Sequence, residues 1–364
     1  MNKKTLLAVE DEARMVELLE DAVADWNEAN HDQNIVLEPL IANDLASAYN
    51  IIRQRKIDCA LVDLRLPEDP DTPGTSADRG NQLTSDLLFK CGIPVAIVSG
   101  YSAEVEPELR QTGIIRTFTK AQHAYDEAIS WITNHWDLMD TLKAVREKLE
   151  QSTSEVFARR IWPNWETMKD AFQGETDALV TAVSRQYASH TAEFLGADDD
   201  STWHPYESYI VPSYLSKRAH TGDIFDFEDG RWIILTPQCD MANGKATNVL
   251  LASCKVGVDN WGEKKARVRD AQNHAQKEKH SKYFRDLVNQ NIPQSRHFLP
   301  PIPGENEACL VDFQKLKTTS YEELSNLLAN RKASLAPAFL SNLVQRFGAF
   351  MSRTGQPNID VDHF

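Results

Sequence analysis

Ile57-Asp58-Cys59-Ala60-Leu61-Val62-Asp63 decides how the first third of the chain is read. Four apolar residues, Cys59 to Val62, sit between two aspartates. An unbroken apolar run of that length suits a strand buried on both faces of a parallel sheet, because a half-buried strand alternates instead. Asp63 then emerges at the carboxyl end of the strand, where open α/β sheets build their sites. One aspartate there is ordinarily a turn residue or a cap. Three other stretches change its meaning. Thr5-Leu6-Leu7-Ala8-Val9 ends in Glu10-Asp11-Glu12, Pro94-Val95-Ala96-Ile97-Val98 ends in Ser99-Gly100, and Ile114-Ile115-Arg116-Thr117-Phe118-Thr119 ends in Lys120. As neighbouring parallel strands, these four place carboxylates, a hydroxyl and an ammonium at one edge of the sheet.

Length and composition bound the rest. A chain of 364 residues holds two or three domains with ample material for their cores. The formal charge of −15 argues against binding nucleic acid over the whole surface and leaves room for a local basic face. Cys59, Cys91, Cys239, Cys254 and Cys309 form no C-x-x-C pair and read as free thiols, the first two in core positions. No apolar run approaches the roughly eighteen residues of a membrane span. Met1-Asn2-Lys3-Lys4 leads straight into a strand without a signal-peptide pattern. The expectation is a soluble, cytoplasmic protein with no membrane partner.

Through residue 134 strand and helix patterns alternate, which gives an α/β, doubly wound, five-stranded parallel sheet. The first helix carries Met15, Leu18, Leu19, Ala22, Val23 and Trp26 at steps of three and four. Ile35-Val36-Leu37 is the second strand, and Asn43 is placed to cap a helix over Leu45 to Arg55. A third helix is expected from near Gly80, a short one over Val105 to Gln111, and a fifth over Tyr125 to Trp136.

In this order the motifs of residues 3–135 resemble the receiver domain of bacterial response regulators. The resemblance implies strand order 2-1-3-4-5. It implies Asp63 as phosphoacceptor, with Ser99 and Lys120 contacting the phosphoryl group. It also implies a Mg²⁺ site formed by Glu10, Asp11, Asp63 and the backbone carbonyl of Arg65, and a sensor histidine kinase or phosphotransfer protein as partner. The electrostatics agree: bare, the three acids repel one another, and a hard divalent cation relieves the repulsion. Three features depart from the family pattern. Ala121 follows the lysine where proline is usual, and Thr117 stands where an aromatic often serves as a switch. The loop Leu66 to Gly80 is longer than usual by about nine residues and, being rich in Pro and Asp, reads as mobile. It either screens the acceptor or is an inert insertion.

From residue 135 to 200 a helical linker follows. Leu138, Met139, Leu142, Val145 and Leu149 recur at helical spacing, and the pattern runs through Val156 and Ile161 to a break at Trp162-Pro163. A second helix covers Thr176 to Leu195. Packing against a neighbouring helix is the main reading of these stripes, and dimerisation through a coiled coil is the alternative.

Residues 201–364 read as a C-terminal α+β domain with a small β-barrel-like sheet. Asp223-Ile224-Phe225-Asp226-Phe227 and Arg231-Trp232-Ile233-Ile234-Leu235 flank Glu228-Asp229-Gly230, a hairpin signal. Asn248 to Val256 and Ala308 to Phe313 add strands, and Gly262 to Asn289 reads as one basic helix. Ser320 and Glu323 fit a capping box, and Leu340, Leu343, Val344, Phe347 and Phe350 stripe a last helix stopped by Gly355. The stretch from Gly222 to Asp240 loosely resembles the SH3-like barrels of MazF-type endoribonuclease toxins. Cys239, Asp240, His220, His297 and Cys254 are the residues there that could form a site, although isolated Cys and His are more often structural. The whole chain therefore reads as a phosphorelay response regulator, not an enzyme, signalling to a downstream effector protein through its C-terminal domain. A receiver-gated enzyme such as a nuclease, and a nucleic-acid-binding regulator, stay open as alternatives. A nucleic-acid partner is not expected, and a homodimer is left open.

Overall fold

The computed structural model describes residues 2–71, 74–110, 113–196, 202–213, 218–355 and 360. The chain forms two compact units, Met1–Asp199 and Asp200–Phe364. The expected domain boundary at 200/201 lies outside the described residues.

The first unit opens with β1 (Asn2–Val9), α1 (Ala13–Ala29), β2 (Ile35–Ala42), α2 (Leu45–Gln54), β3 (Cys59–Val62), α3 (Ala77–Asp86), β4 (Val95–Ser99), α4 (Pro107–Arg110), β5 (Ile115–Thr119) and α5 (Ala124–Thr133). The five strands are parallel in the order β2-β1-β3-β4-β5, as expected. Each central strand feeds two cores. Leu7, Val9, Ala60, Val62, Val95 and Ile97 face the α2–α3 side. Leu6, Ala8, Cys59, Leu61, Ala96 and Val98 face α1 and α5. Burial on both faces explains the unbroken apolar run, and each fully buried Leu or Val contributes about 1.5–3 kcal/mol.

Several expected boundaries move. The second strand runs on to Ala42, through Pro39, because β2 lies at the edge of the sheet and pairs only with β1. Asp44, not Asn43, caps α2, accepting from the Ser47 N–H at 2.7 Å in a capping box. Ser76 caps α3, which starts at Ala77, three residues before Gly80. The short helix is trimmed to Pro107–Arg110, and Gln111 lies outside the described residues. The expected fifth helix divides, with α5 ending at Thr133 and a new helix starting at Trp136.

That new helix, α6 (Trp136–Val156), is followed by α7 (Trp165–Ala171) and α8 (Thr176–Gly196). It does not simply leave the sheet. It lies across the amino-terminal ends of β1, β3 and β4, opposite the Asp63 end. Trp136 stacks on Trp26 at 5.6 Å, and Met139 is buried in the α1–α5 core. Asp140 pairs with the fully buried Lys4 at 2.5 Å and accepts from the Asn2 side chain. The Arg146 guanidinium donates to the carbonyls of Ile57 and Gly92, and Lys56 pairs with Glu150 at 2.7 Å. Trp162-Pro163 does not end the helical path: Pro163 sits in the first turn of a short 3₁₀ segment that leads into α7, where its missing N–H costs little.

The second unit contains β6 (Tyr209–Ile210), β7 (Asp223–Phe227), β8 (Gly230–Ile234), α9 (Gln238–Ala242), β9 (Asn248–Val256), α10 (Trp261–Arg269), α11 (His274–Val288), β10 (Arg296–Leu299), β11 (Cys309–Ser320), α12 (Tyr321–Asn326), β12 (Arg331–Leu335) and α13 (Pro337–Met351). Seven antiparallel strands form one sheet in the order β10-β11-β9-β8-β7-β12-β6. The sheet curls until its two edge strands approach, and the Tyr209 hydroxyl donates to the Pro300 carbonyl at 2.5 Å. Leu340 and Leu343 of α13 pack with Ile233, Val311 and Leu335 in its main core. β6, β10 and β12 escaped the sequence reading, being two, four and five residues long. The single basic helix is two, α10 and α11, separated at 270–273, with Asn273 capping the second. The last helix ends at Met351, short of Gly355. The outer edge of β10 is closed by Gln290, whose side-chain amide bonds both the N–H and the carbonyl of Phe298 as another strand would.

Candidate phosphoacceptor site

The site lies at the carboxyl ends of the parallel strands of the first unit. The backbone places its groups. The Glu10 N–H donates to Ala42, the Asp63 N–H to Val9 and the Lys120 N–H to Ser99, so each residue leaves its strand beside a neighbouring strand's end. Ser99 is the last residue of β4, opposite Thr119, and is fully buried. Lys120 Nζ lies 2.8 Å from Asp63 Oδ2 and 2.9 Å from Glu10. One carboxylate oxygen from each of Glu10, Asp11 and Asp63 lies within 4.8 Å of the others. Glu10 and Asp63 are buried, whereas Asp11 is half-buried at the mouth of the site.

Three formal negative charges face one ammonium here. Burial pushes the Glu10 and Asp11 carboxyls above the ordinary carboxylate range, with the charge of Asp63 adding to the rise. On Lys120, burial works against the charged form, but the hydrogen bonds to Asp63 and Glu10 outweigh it and the pKa is raised. The donor set is all oxygen and carries excess negative charge, which fits a hard divalent cation such as Mg²⁺. Among the described residues it is the one group of three or more His, Cys, Asp or Glu side chains gathered closely enough to hold an ion.

Sequence reasoning missed two parts of this site. The Tyr125 hydroxyl donates to Glu10 Oε2 at 2.7 Å, and the Glu12 N–H donates to Oε1 at 3.3 Å. The Arg65 side chain, between Asp63 and the β4 loop, stacks over the Tyr101 ring at 3.9 Å and makes a two-point ion pair with Glu104. The Arg65 N–H donates to Asp63 Oδ1 at 3.4 Å, which keeps this peptide beside the acceptor. Gly80 is required nearby: a Cβ there would meet the Leu64 carbonyl oxygen at 2.3 Å, so only glycine lets α3 lie against the residue after Asp63.

The long loop is pinned where it is described. The Pro67 and Glu68 carbonyls accept from the first two N–H groups of α2, Ser76 bridges to Leu66, and Arg79 bonds the Leu66 and Gly74 carbonyls. Thr72 and Pro73 lie outside the described residues. Thr117 is half-buried within β5, and the aromatic beside it, Phe118, points into the α1–α5 core. The C-terminal candidates do not form a site together. Cys239 is exposed on α9, and Val311 stands between Cys254 and His297 in the register of three adjacent strands.

No protein-family model matches the chain, and no curated protein does. Similar solved structures are receiver domains, matching the N-terminal part of the chain. A CheY-like receiver domain of Methanospirillum hungatei is 16% identical, covering 38% of this chain and 98% of that one, with a TM-score of 0.29. A Francisella receiver domain is 18% identical over 37% of this chain and 97% of that one, with a TM-score of 0.29. A Thermotoga maritima response regulator, solved in complex with Mg²⁺–BeF, is 17% identical over 36% and 97%, with a TM-score of 0.27. By its strand order, and by the ends of β1, β3, β4 and β5 that bring Glu10, Asp11, Asp63, Ser99 and Lys120 to one edge, the N-terminal part of the first unit has the fold of a response-regulator receiver domain.

Proposed function

We propose that the protein is a two-component response regulator phosphorylated on Asp63 by a histidine kinase or phosphotransfer protein. The observation that carries this reading is the Asp63 carboxylate, buried at the end of β3, 2.8 Å from Lys120 Nζ and within the acidic group. In the reaction a carboxylate oxygen of Asp63 attacks phosphorus, and a P–O bond forms as the P–N bond of a phosphohistidine breaks. The imidazole leaves with the electron pair. Lys120 moves its ion pair from the carboxylate to a phosphoryl oxygen, and the Ser99 hydroxyl donates to another. Asp11, Asp63, Glu10 and the Arg65 carbonyl are the groups to hold Mg²⁺, which supplies neutralisation of the phosphoryl charge.

Five free thiols accord with a reducing, cytoplasmic setting, and no helix of the described residues is long and apolar enough to cross a membrane. We read the C-terminal unit as an interaction module for an effector protein rather than an enzyme. Its basic helices support this over nucleic-acid binding, since Arg267, Arg269 and Arg285 are neutralised by Glu263, Asp270 and Glu278. The test is phosphorylation of the full chain by acetyl phosphate with Mg²⁺, read by intact mass. Wild type should gain one phosphoryl group and Asp63→Asn none. Label retained in that variant, or absent from wild type, overturns the assignment.

A further inference from the structure

The C-terminal unit contains two open clefts, of about 480 and 870 Å³, that share His204, Pro205, Val288, Phe298 and Pro300 as a common wall. Together they lie along the seam where the edge strands β6 and β10 approach. Both volumes fall in the range of small-molecule sites, roughly 300–1,000 Å³. Exposed apolar side chains line the clefts: Trp203, Tyr206 and Val288 are 56%, 55% and 63% exposed. Trp203 meets Phe339 edge to face at 5.6 Å, which fixes an aromatic rim on the smaller cleft.

The polar groups have distinct places. His297 lines the smaller cleft, is 4% exposed, and its buried Nδ1 has no hydrogen-bond partner among the described residues. A buried nitrogen of that kind costs about 1–3 kcal/mol unless something bonds it. Burial and the nearby Arg346 of α13 hold the imidazole neutral, with its pKa pushed down to about 3. On the larger cleft the charges are cationic. Lys265 and Lys277 line it, and neither forms an ion pair among the described residues. The acid on that wall, Glu305, is already engaged by Arg231 at 2.7 Å.

We propose that this seam binds a small amphipathic acid, with an apolar body along Trp203, Phe298 and Phe339, an anionic group at Lys265 and Lys277, and a hydrogen-bonding group at His297. The inference does not depend on phosphorylation of Asp63. Its chemistry has two sources, a fatty acid or an aromatic acid, and the test separates them.

The full-length protein is titrated with 8-anilinonaphthalene-1-sulfonate at low salt, followed by displacement with 10-hydroxydecanoate, with indole-3-propionate and with the uncharged decanol. One of the two acids should displace the probe and decanol should not. Lys265→Gln with Lys277→Gln should weaken that acid about five- to tenfold, as loss of one or two partly exposed charge contacts does. The salt dependence of binding should shrink with it. His297→Phe, which keeps a flat ring and removes both ring nitrogens, should weaken binding without altering the salt dependence. If His297→Phe fails to fold, the exposed lysine pair still decides the matter. Equal displacement from wild type and from the lysine variant overturns the proposal. So does displacement by neither acid when the peptide acetyl-Glu-Leu-Trp-Glu-amide displaces the probe, which makes the seam a peptide groove, and so does failure of the probe to bind.

Discussion

Glu10 is a buried carboxylate served by three donors: Lys120 Nζ, the Tyr125 hydroxyl and the Glu12 N–H. Each offsets part of the cost of holding a charge out of water. Tyr125→Phe removes one donor and leaves Glu10 Oε2 without its 2.7 Å partner. The expected loss is about 1–3 kcal/mol, read as a lower urea midpoint of the first unit, with labelling by acetyl phosphate retained. An unchanged midpoint means that the hydroxyl adds nothing. The acids, the serine and the lysine of this site were legible because each ends an apolar run. Tyr125 was not, because five residues beyond Lys120 it reads only as an aromatic opening a helix. Its hydroxyl reaches Glu10 through the packing of α5 against the sheet.

At the scale of elements, α6 shows how one stripe can mislead. Leu138, Val145 and Leu149 are 44%, 47% and 40% exposed, whereas Met139 beside them is buried. The face that meets the sheet carries Trp136, Met139, Asp140, Arg146 and Glu150, mostly polar groups that answer polar groups at the sheet's lower edge. Lys4 is the key partner, since its ammonium is fully buried and Asp140 neutralises it at 2.5 Å. Asp140→Ala strands that charge. Breaking a fully buried pair costs about 3–5 kcal/mol, and because Asp140 is partly exposed the expectation here is about 2 kcal/mol. Urea unfolding measures it, and Lys4→Met combined with Asp140→Ala should recover most of the loss. If the double variant is no better than Asp140→Ala, the pair is not what holds α6.

Across the whole molecule, the phosphoacceptor end and the α6 end lie at opposite edges of one sheet. Under the proposed phosphorylation of Asp63, two chains of contacts lead away from the site within the first unit: Ser99 into the loop that carries Tyr101 and Glu104, and Glu10–Tyr125 into α5, whose Ile132 shares a core with Met139. Hydrogen exchange of the full chain, with and without acetyl phosphate and Mg²⁺, should show protection changes over 99–133 that extend into the first turns of α6. Changes confined to residues before 120 mean that the domain stores phosphate without passing the signal on.

The sequence by itself determined the parallel sheet and the residues at its carboxyl edge, because burial on both faces leaves unbroken apolar runs and the next residue must emerge at the edge, whereas the strand order followed only from the resemblance to receiver domains. It also determined the β7–β8 hairpin, since Asp229-Gly230 meets the turn's demand and Gly230 takes φ +120°. Only the tertiary structure decided the rest. A two-residue edge strand such as β6 has no period to read. The docking face of α6 is polar and so looks like a solvated surface. The curl that brings Tyr209 to Pro300, and with it the seam beside His297, depends on contacts 91 residues apart that no local pattern encodes.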